Sequence, residues 1–285
     1  PEFAALKASG KTSKHPLKES FTQWKNLKWV LIALFGATAG QGVVWYTGQY
    51  YAMNFCTKTL NIDATQIQKM LMVVLLIGTP LFIFFGWLSD RIGRKTIMLT
   101  GIALAAVFYV PIYTQMEKLA DVRNFWEHEL GDEPTDLMYI TPSGDSACDQ
   151  TVVFANGGKW ERTSERKAGA ENWEWTDKSK VTLPFNYLLL MGLLIFAQLI
   201  FVAMAYGPIA AFLVELFPAN IRYSSMSLPY HIGNGIFGGL TPLIAESLVQ
   251  RTNNHIAGVY YPVIVATVTV IVGVLFIREN RQKPS

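Results

Sequence analysis

Charge is what this chain has least of. Only 16% of its 285 residues are Asp, Glu, Lys or Arg, against about a quarter in soluble domains. Cysteine is almost missing, with Cys56 and Cys148 alone, so neither a disulfide-stapled fold nor a cysteine metal centre can be built. No G-x-S-x-G, no G-x-x-x-x-G-K-[ST], no H-E-x-x-H and no paired cysteines at metal spacing occur. The histidines His15, His128, His231 and His255 fall in separate segments. These absences remove the common catalytic constellations and leave no metal site and no cofactor to expect. A basic patch interleaved with aromatics is missing too, so the mild net charge of +3 carries no nucleic-acid footprint.

What charge there is has been swept out of six long stretches: Trp29–Asn54, Met70–Ser89, Thr96–Met116, Val181–Val214, Tyr223–Ala245 and His255–Ile277. A helix rises about 1.5 Å per residue and the hydrocarbon core of a bilayer is about 30 Å thick, so roughly 20 apolar residues cross it. All six stretches qualify, which predicts an all-α integral membrane protein. The expected spans are 29–53, 70–89 and 96–116, then 183–214, 223–248 and 256–277. The fourth stretch is long for one crossing, and Gly207-Pro208 predicts a kink within it before Pro218 ends it.

Lys and Arg set the orientation. Thirteen of them lie in 1–28, in the loop after the second span, in the loop after the fourth and in the tail 278–285; Lys58, Lys69 and Arg251 alone sit in the opposite short loops. The basic side is therefore expected to be cytoplasmic, with both termini there and a cytoplasmic linker over 1–28. The loop 117–180 then falls outside, with fourteen acids against eight bases. Thr151-Val152-Val153-Phe154 and Lys159-Trp160-Glu161 could be short strands, and Thr141-Pro142-Ser143-Gly144 and Gly157-Gly158 mark turns. A small lobe and a largely disordered loop are both open. Cys56 and Cys148 share this outer side, where they could form a disulfide or remain two free thiols. Three spans starting inside and three starting outside (29–116 and 181–277) have the geometry of a 3+3 inverted repeat.

The candidate functional residues are the polar ones that this pattern strands near apolar surface. Gly86-Trp87-Leu88-Ser89-Asp90-Arg91-Ile92-Gly93-Arg94-Lys95 joins the second and third spans. An acid, two glycines and three bases there point to an ionic latch, with plain positive-inside anchoring as the alternative. Glu215, at the same end of the fourth span, is the expected partner of Arg94 or Arg91, with Arg222 nearby; a solvated Glu215 is the other reading. In the first span Gln41, Trp45, Tyr46, Gln49 and Tyr50 share one broad face. Polar side chains in hydrocarbon need partners or a watery cavity, so Gln41, Trp45, Tyr46 and Gln49 are cavity candidates, while Gly36 and Gly40 make a close-packing pair. In the fifth span Tyr230, His231 and Asn234 are candidates too, His231 for proton transfer or for a structural hydrogen bond. Asn186, Gln198 and Glu246 are weaker candidates.

These stretches resemble a known family. Gly86-x-x-x-Asp90-Arg91-x-Gly93-Arg94-Lys95 is similar to the loop signature of the major facilitator superfamily, found between the second and third helices of each six-helix half. Gly40-Gln41-Gly42 through Tyr50-Tyr51-Ala52 resembles the seventh helix of its metabolite:proton symporter branch, which includes proline/betaine, α-ketoglutarate and shikimate permeases. Gly207-Pro208 through Phe217-Pro218 and Met226 through Gly235 resemble the tenth and eleventh helices. The resemblance implies the C-terminal six-helix half of a twelve-helix fold, in keeping with Pro1-Glu2-Phe3 resembling sequence just after a sixth helix. It also implies a missing N-terminal half as partner and a bacterial inner-membrane location. The function implied is uptake of a small polar metabolite (an organic acid, amino acid or betaine), with a proton as coupling ion. A passive facilitator of the same fold and a membrane sensor using the outer loop are the alternatives. None of these is an enzyme.

Overall fold

The first apolar stretch folds as one long helix, α1 (Asn26–Thr59), but not a regular one. Its ladder widens to π geometry at Leu34–Thr38, Thr47–Tyr51 and Phe55–Thr59. Each such turn inserts backbone into the helix and rotates the residues that follow, a device common at functional sites. The computed structural model describes residues 23–121, 135–142, 144–166, 174–218 and 221–278. Most of the linker expected over 1–28 and the end of the tail lie outside those residues. Among the described residues, five further helices of this kind are α2 (Ala64–Ile92), α3 (Arg94–Ala120), α4 (Phe185–Leu216), α5 (Arg222–Thr252) and α6 (Ala257–Phe276). All six are long and apolar enough to cross a membrane.

Two of these helices are interrupted where the sequence supplies a breaker. α4 pauses at Gly207-Pro208, between Phe185–Tyr206 and Ile209–Leu216. Pro208 has no N–H to give the ladder, and its ring crowds the preceding turn. α5 runs as Arg222–Ile232, a π segment Gly233–Gly238, and Thr241–Thr252. Between α2 and α3 the chain turns on Gly93 alone. Its φ of +125° is costly for any residue with a Cβ.

Contacts divide the chain into two units, one of Pro1–Tyr51, Leu75–Pro111 and Phe196–Ser285, the other of Ala52–Val74 and Ile112–Ile195. In the first unit, glycines bring backbones together. Gly36 backs onto Gly273 of α6, and a Cβ on Gly40 would come within 2.7 Å of Thr269. The close-packing pair of α1 thus meets α6. Gly42 lies against the Gly233 carbonyl of α5, closer than any Cβ could be accommodated, and Gly207 of α4 abuts backbone of Phe82 and Gly86 in α2. Tyr109 of α3, fully buried, donates its hydroxyl to the Val44 carbonyl at 3.0 Å.

The second unit holds a β lobe that an all-α reading does not include. β1 (Thr135–Ile140), β2 (Ser146–Val153), β3 (Lys159–Arg166) and β4 (Glu174–Thr182) form an antiparallel meander in that order. The β2–β3 turn uses Gly157 at φ +84°, and Asn156 Oδ1 accepts from the Gly158 N–H. β4 is fastened to the chain between α1 and α2. Ile62 and Val181 form a parallel bridge. Gln66 exchanges two hydrogen bonds with the Leu183 backbone at 2.8 and 2.9 Å, and Asp63 pairs with Lys180 at 2.5 Å. The hydrogen bond from Lys180 holds the Asp63 carboxyl below its ordinary range, and the same contact raises Lys180. Cys56, at the end of α1, and Cys148, on β2, are both buried free thiols. The bridge open to them in the sequence is not formed: one is enclosed in a helix end and the other within the sheet.

Candidate functional site

Two constellations gather the candidate residues of the first unit. One is the α2–α3 hinge. Arg94 sits four residues beyond Asp90 and bonds its Oδ1 through Nη2 at 2.8 Å and Nε at 3.1 Å. Its remaining Nη1 donates to Glu215 Oε1 of α4 at 2.5 Å. One planar guanidinium thus serves two carboxylates, giving two N–H groups of its fixed fork to one and a third to the other. Lys95 turns the other way and donates to the Ile277 and Val274 carbonyls at the end of α6, at 2.5 and 3.4 Å. Those carbonyls have no intrahelical partner and carry the negative end of the helix dipole. Arg222 donates Nε to the Phe217 carbonyl at 3.0 Å, closing the turn between α4 and α5. Arg91 is not at Glu215; its guanidinium lies 4.2 Å over the Trp87 ring.

The other constellation is the seam of α1 and α5. Gln41 and Asn234 face each other amide to amide, Gln41 Nε2 to Asn234 Oδ1 at 3.2 Å and Asn234 Nδ2 to Gln41 Oε1 at 3.1 Å. Thr38 donates to the Pro229 carbonyl at 2.6 Å, which also accepts the Gly233 N–H. Gln41 is only 1% exposed, so the seam encloses it, whereas Trp45, Tyr46, Gln49, Tyr230 and Asn234 are half-buried and His231 is exposed. Trp45 leans on Tyr206 with ring centroids 4.6 Å apart, and Phe82 meets both rings edge-on. Tyr206 and Tyr230 meet hydroxyl to hydroxyl at 3.1 Å. Tyr46 stacks on Tyr50 instead. Tyr206 was not among the sequence candidates. Its signal was its place, a phenol immediately before the Gly207-Pro208 break. Gln198 is fully buried, beside Gly48 of α1.

The family model described as sugar (and other) transporter matches residues 1–123. A glycine betaine/proline/ectoine/pipecolic acid transporter of Dickeya dadantii is 34% identical over 97 residues, covering 34% of this chain and 19% of that protein. The alpha-ketoglutarate permease of Escherichia coli is 23% identical over 259 residues, 90% of this chain and 44% of its own length. An ectoine/proline transporter of Corynebacterium glutamicum is 23% identical over 253 residues, 89% of this chain and 36% of its own length. The chain is thus similar to transporters of the major facilitator superfamily, among them proteins named for ectoine, proline and alpha-ketoglutarate. These major facilitator relatives are transporters and not enzymes. The chain spans less than half the length of each of them. No solved structure matches.

Proposed function

We propose that these helices are the C-terminal six of a twelve-helix transporter that takes up a small polar metabolite by alternating access, driven by a proton gradient. The observation that carries the reading is the Arg94 bridge. A single cation ties the α2–α3 hinge to the end of α4 through two carboxylates, and only 22–26% of the Arg94 and Glu215 side chains is exposed. Such a contact is strong enough to bias one arrangement of helix ends and weak enough to break in a cycle. In this reading Asp90, Arg94 and Glu215 latch the cytoplasmic end, and Lys95 and Arg222 secure the adjoining helix ends. Trp45, Tyr46, Gln49, Tyr230, His231 and Asn234 line this half's share of a midplane cavity, of the kind repeat-built transporters place between their halves, and Gln41, enclosed in the seam, holds Asn234. The π turns of α1 and α5 allow that wall to deform where the two helices touch.

The relatives' names span zwitterions and dicarboxylates, so the cargo class is a small polar metabolite. The intramembrane parts of the six helices hold no Asp or Glu away from their ends, which assigns the proton-binding carboxylate to the other half. Proteoliposomes containing the full-length transporter, given labelled proline, glycine betaine or α-ketoglutarate, should accumulate one of them when a pH gradient is imposed. The 285-residue chain reconstituted by itself should not. Equilibration without accumulation would make the protein a facilitator. Accumulation by the chain alone would end the half-transporter reading.

A further inference from the structure

Every Lys, Arg, Asp and Glu of the six helices lies within six residues of a helix end. His231 does not. It stands nine residues beyond Arg222 on α5, about 14 Å along the helix. Its neighbours in the same turn are committed, Tyr230 to Tyr206 and Asn234 to Gln41. His231 itself makes no hydrogen bond and no ion pair among the described residues, and its ring meets only that of Tyr230, edge-on with centroids 5.9 Å apart. It is exposed, on a face with Leu228, 37% exposed, one turn back. One turn on is Gly235, where a Cβ would meet nothing within 4 Å. These six helices thus leave a partnerless imidazole, with open space beside it, well inside a membrane-length helix.

An ionisable side chain at that depth is costly unless something pairs with it. In a chain that spans less than half the length of its relatives, the pairing group arrives from outside these helices. Imidazole is the side chain whose charge changes between about pH 5 and 8, and as imidazolium it gives a carboxylate a charge-assisted hydrogen bond. The transport reading offers two anions, and both are carboxylates. Proline, glycine betaine and α-ketoglutarate each carry one, and the proton-binding group assigned to the other half is one. We propose that His231 is the carboxylate-binding residue of this half, taking a proton on the ring as it receives the carboxylate and losing it on release. The inference rests on the transport reading above and adds its specificity residue. Competing charges are tied up elsewhere. The elements packed against this stretch of α5 are the first part of α1 and the end of α4. Lys28 is at the start of α1, Glu215 is held by Arg94, and Arg222 is turned to the Phe217 carbonyl. The phenols are Tyr46, stacked on Tyr50, and Tyr206, which meets Tyr230.

The test is equilibrium binding to the purified full-length transporter at pH 6 and pH 8. The probes are labelled proline, glycine betaine and α-ketoglutarate, each competed by itself and by its carboxyl amide. For the probe that binds, the wild type should prefer acid over amide, and more so at pH 6. His231→Gln should lower the affinity for the acid about tenfold, the effect of one hydrogen bond to a charged group, and remove the pH dependence. His231→Arg keeps a cation at every pH, so it should restore acid binding equally at pH 6 and pH 8. A loss confined to the acid makes the carboxylate that of the cargo. An equal loss for acid and amide, restored by His231→Arg, makes it that of the missing half. Acid binding in His231→Gln equal to the wild type at both pH values overturns the site. So does a loss that His231→Arg fails to restore, since that is a structural imidazole. A wild type that binds none of the probes and accumulates none under a pH gradient removes the transport reading. A wild type that accumulates one, beside a His231→Gln variant with unchanged acid preference, removes this inference alone.

Discussion

A residue's offset along a helix decides its partner more finely than its type does. Asp90, Arg91, Arg94 and Lys95 read in the sequence as one charged cluster. In the structure Arg94 opens α3 beyond the Gly93 turn and meets Asp90 across it, while Arg91, still on α2 and next in line to Asp90, is rotated about 100° away and finds Trp87. Lys95 is rotated past Arg94 and reaches α6. The identity of the hinge was legible, and so was Glu215 as a nearby acid, but the choice of Arg94 over Arg91 needed the positive-φ turn at Gly93. Removing Arg94 deletes two part-exposed charge-assisted contacts, of which the one to Glu215 holds the α4 end and is worth about 1 kcal/mol after screening. In the full-length transporter, Arg94→Ala should raise the labelling rate of a thiol placed at the α4 end by Leu216→Cys about fivefold. Cys56 and Cys148 are buried and add little background. An unchanged rate would remove the latch.

The elements show a second kind of limit. Apolar length located the six helices because hydropathy is a property of the local chain. The π turns of α1 were not legible, since they answer to what the helix packs against: Gly42 against Gly233 and Gly238 of α5, Gly36 and Gly40 against α6. The glycines of the α1–α5 seam divide into two sorts. A Cβ on Gly42 or Gly233 would meet backbone, which cannot yield, while a Cβ on Gly235 would meet nothing within 4 Å. Gly42→Ala should therefore destabilise the detergent-solubilised protein by about 1–3 kcal/mol, the usual range for overpacking. Gly235→Ala should stay within about 0.5 kcal/mol. Thermal unfolding of the two variants side by side decides it, and equal melting temperatures would refute the close seam.

For the molecule as a whole, the β lobe is the feature the sequence left open. Its strands are short and mixed in polarity, so alternation alone separated them poorly from a polar loop. They are settled by pairing across the meander and by the junction of β4 with the chain before α2. Asp63, depressed by its bond from Lys180, contributes to that junction once pH exceeds its ordinary value of 3.8, and the contribution is lost as pH falls through the lower folded value. Lys180, raised by the same bond, contributes fully below its ordinary 10.5 and loses it as pH climbs through the higher folded value. The junction should therefore hold across the neutral range and loosen at both extremes. Hydrogen exchange at Val181 and Leu183 should accelerate below about pH 4 in the wild type beyond the intrinsic trend. In Asp63→Asn it should already be fast at neutral pH. Protection independent of both would assign the junction to the backbone bridge alone.

By itself the sequence determined the six membrane-length helices, the breaks at Gly93 and Gly207-Pro208, and the polar residues that apolar surroundings make conspicuous. Each depends on neighbours in the chain: transfer of a run of side chains out of water, a missing Cβ, a missing N–H. Tertiary structure decided the rest, because a polar group is satisfied by whatever distant group packing delivers. It paired Gln41 with Asn234 rather than leaving both open, brought Tyr206 to Tyr230, gave Glu215 to Arg94, and kept the two cysteines apart.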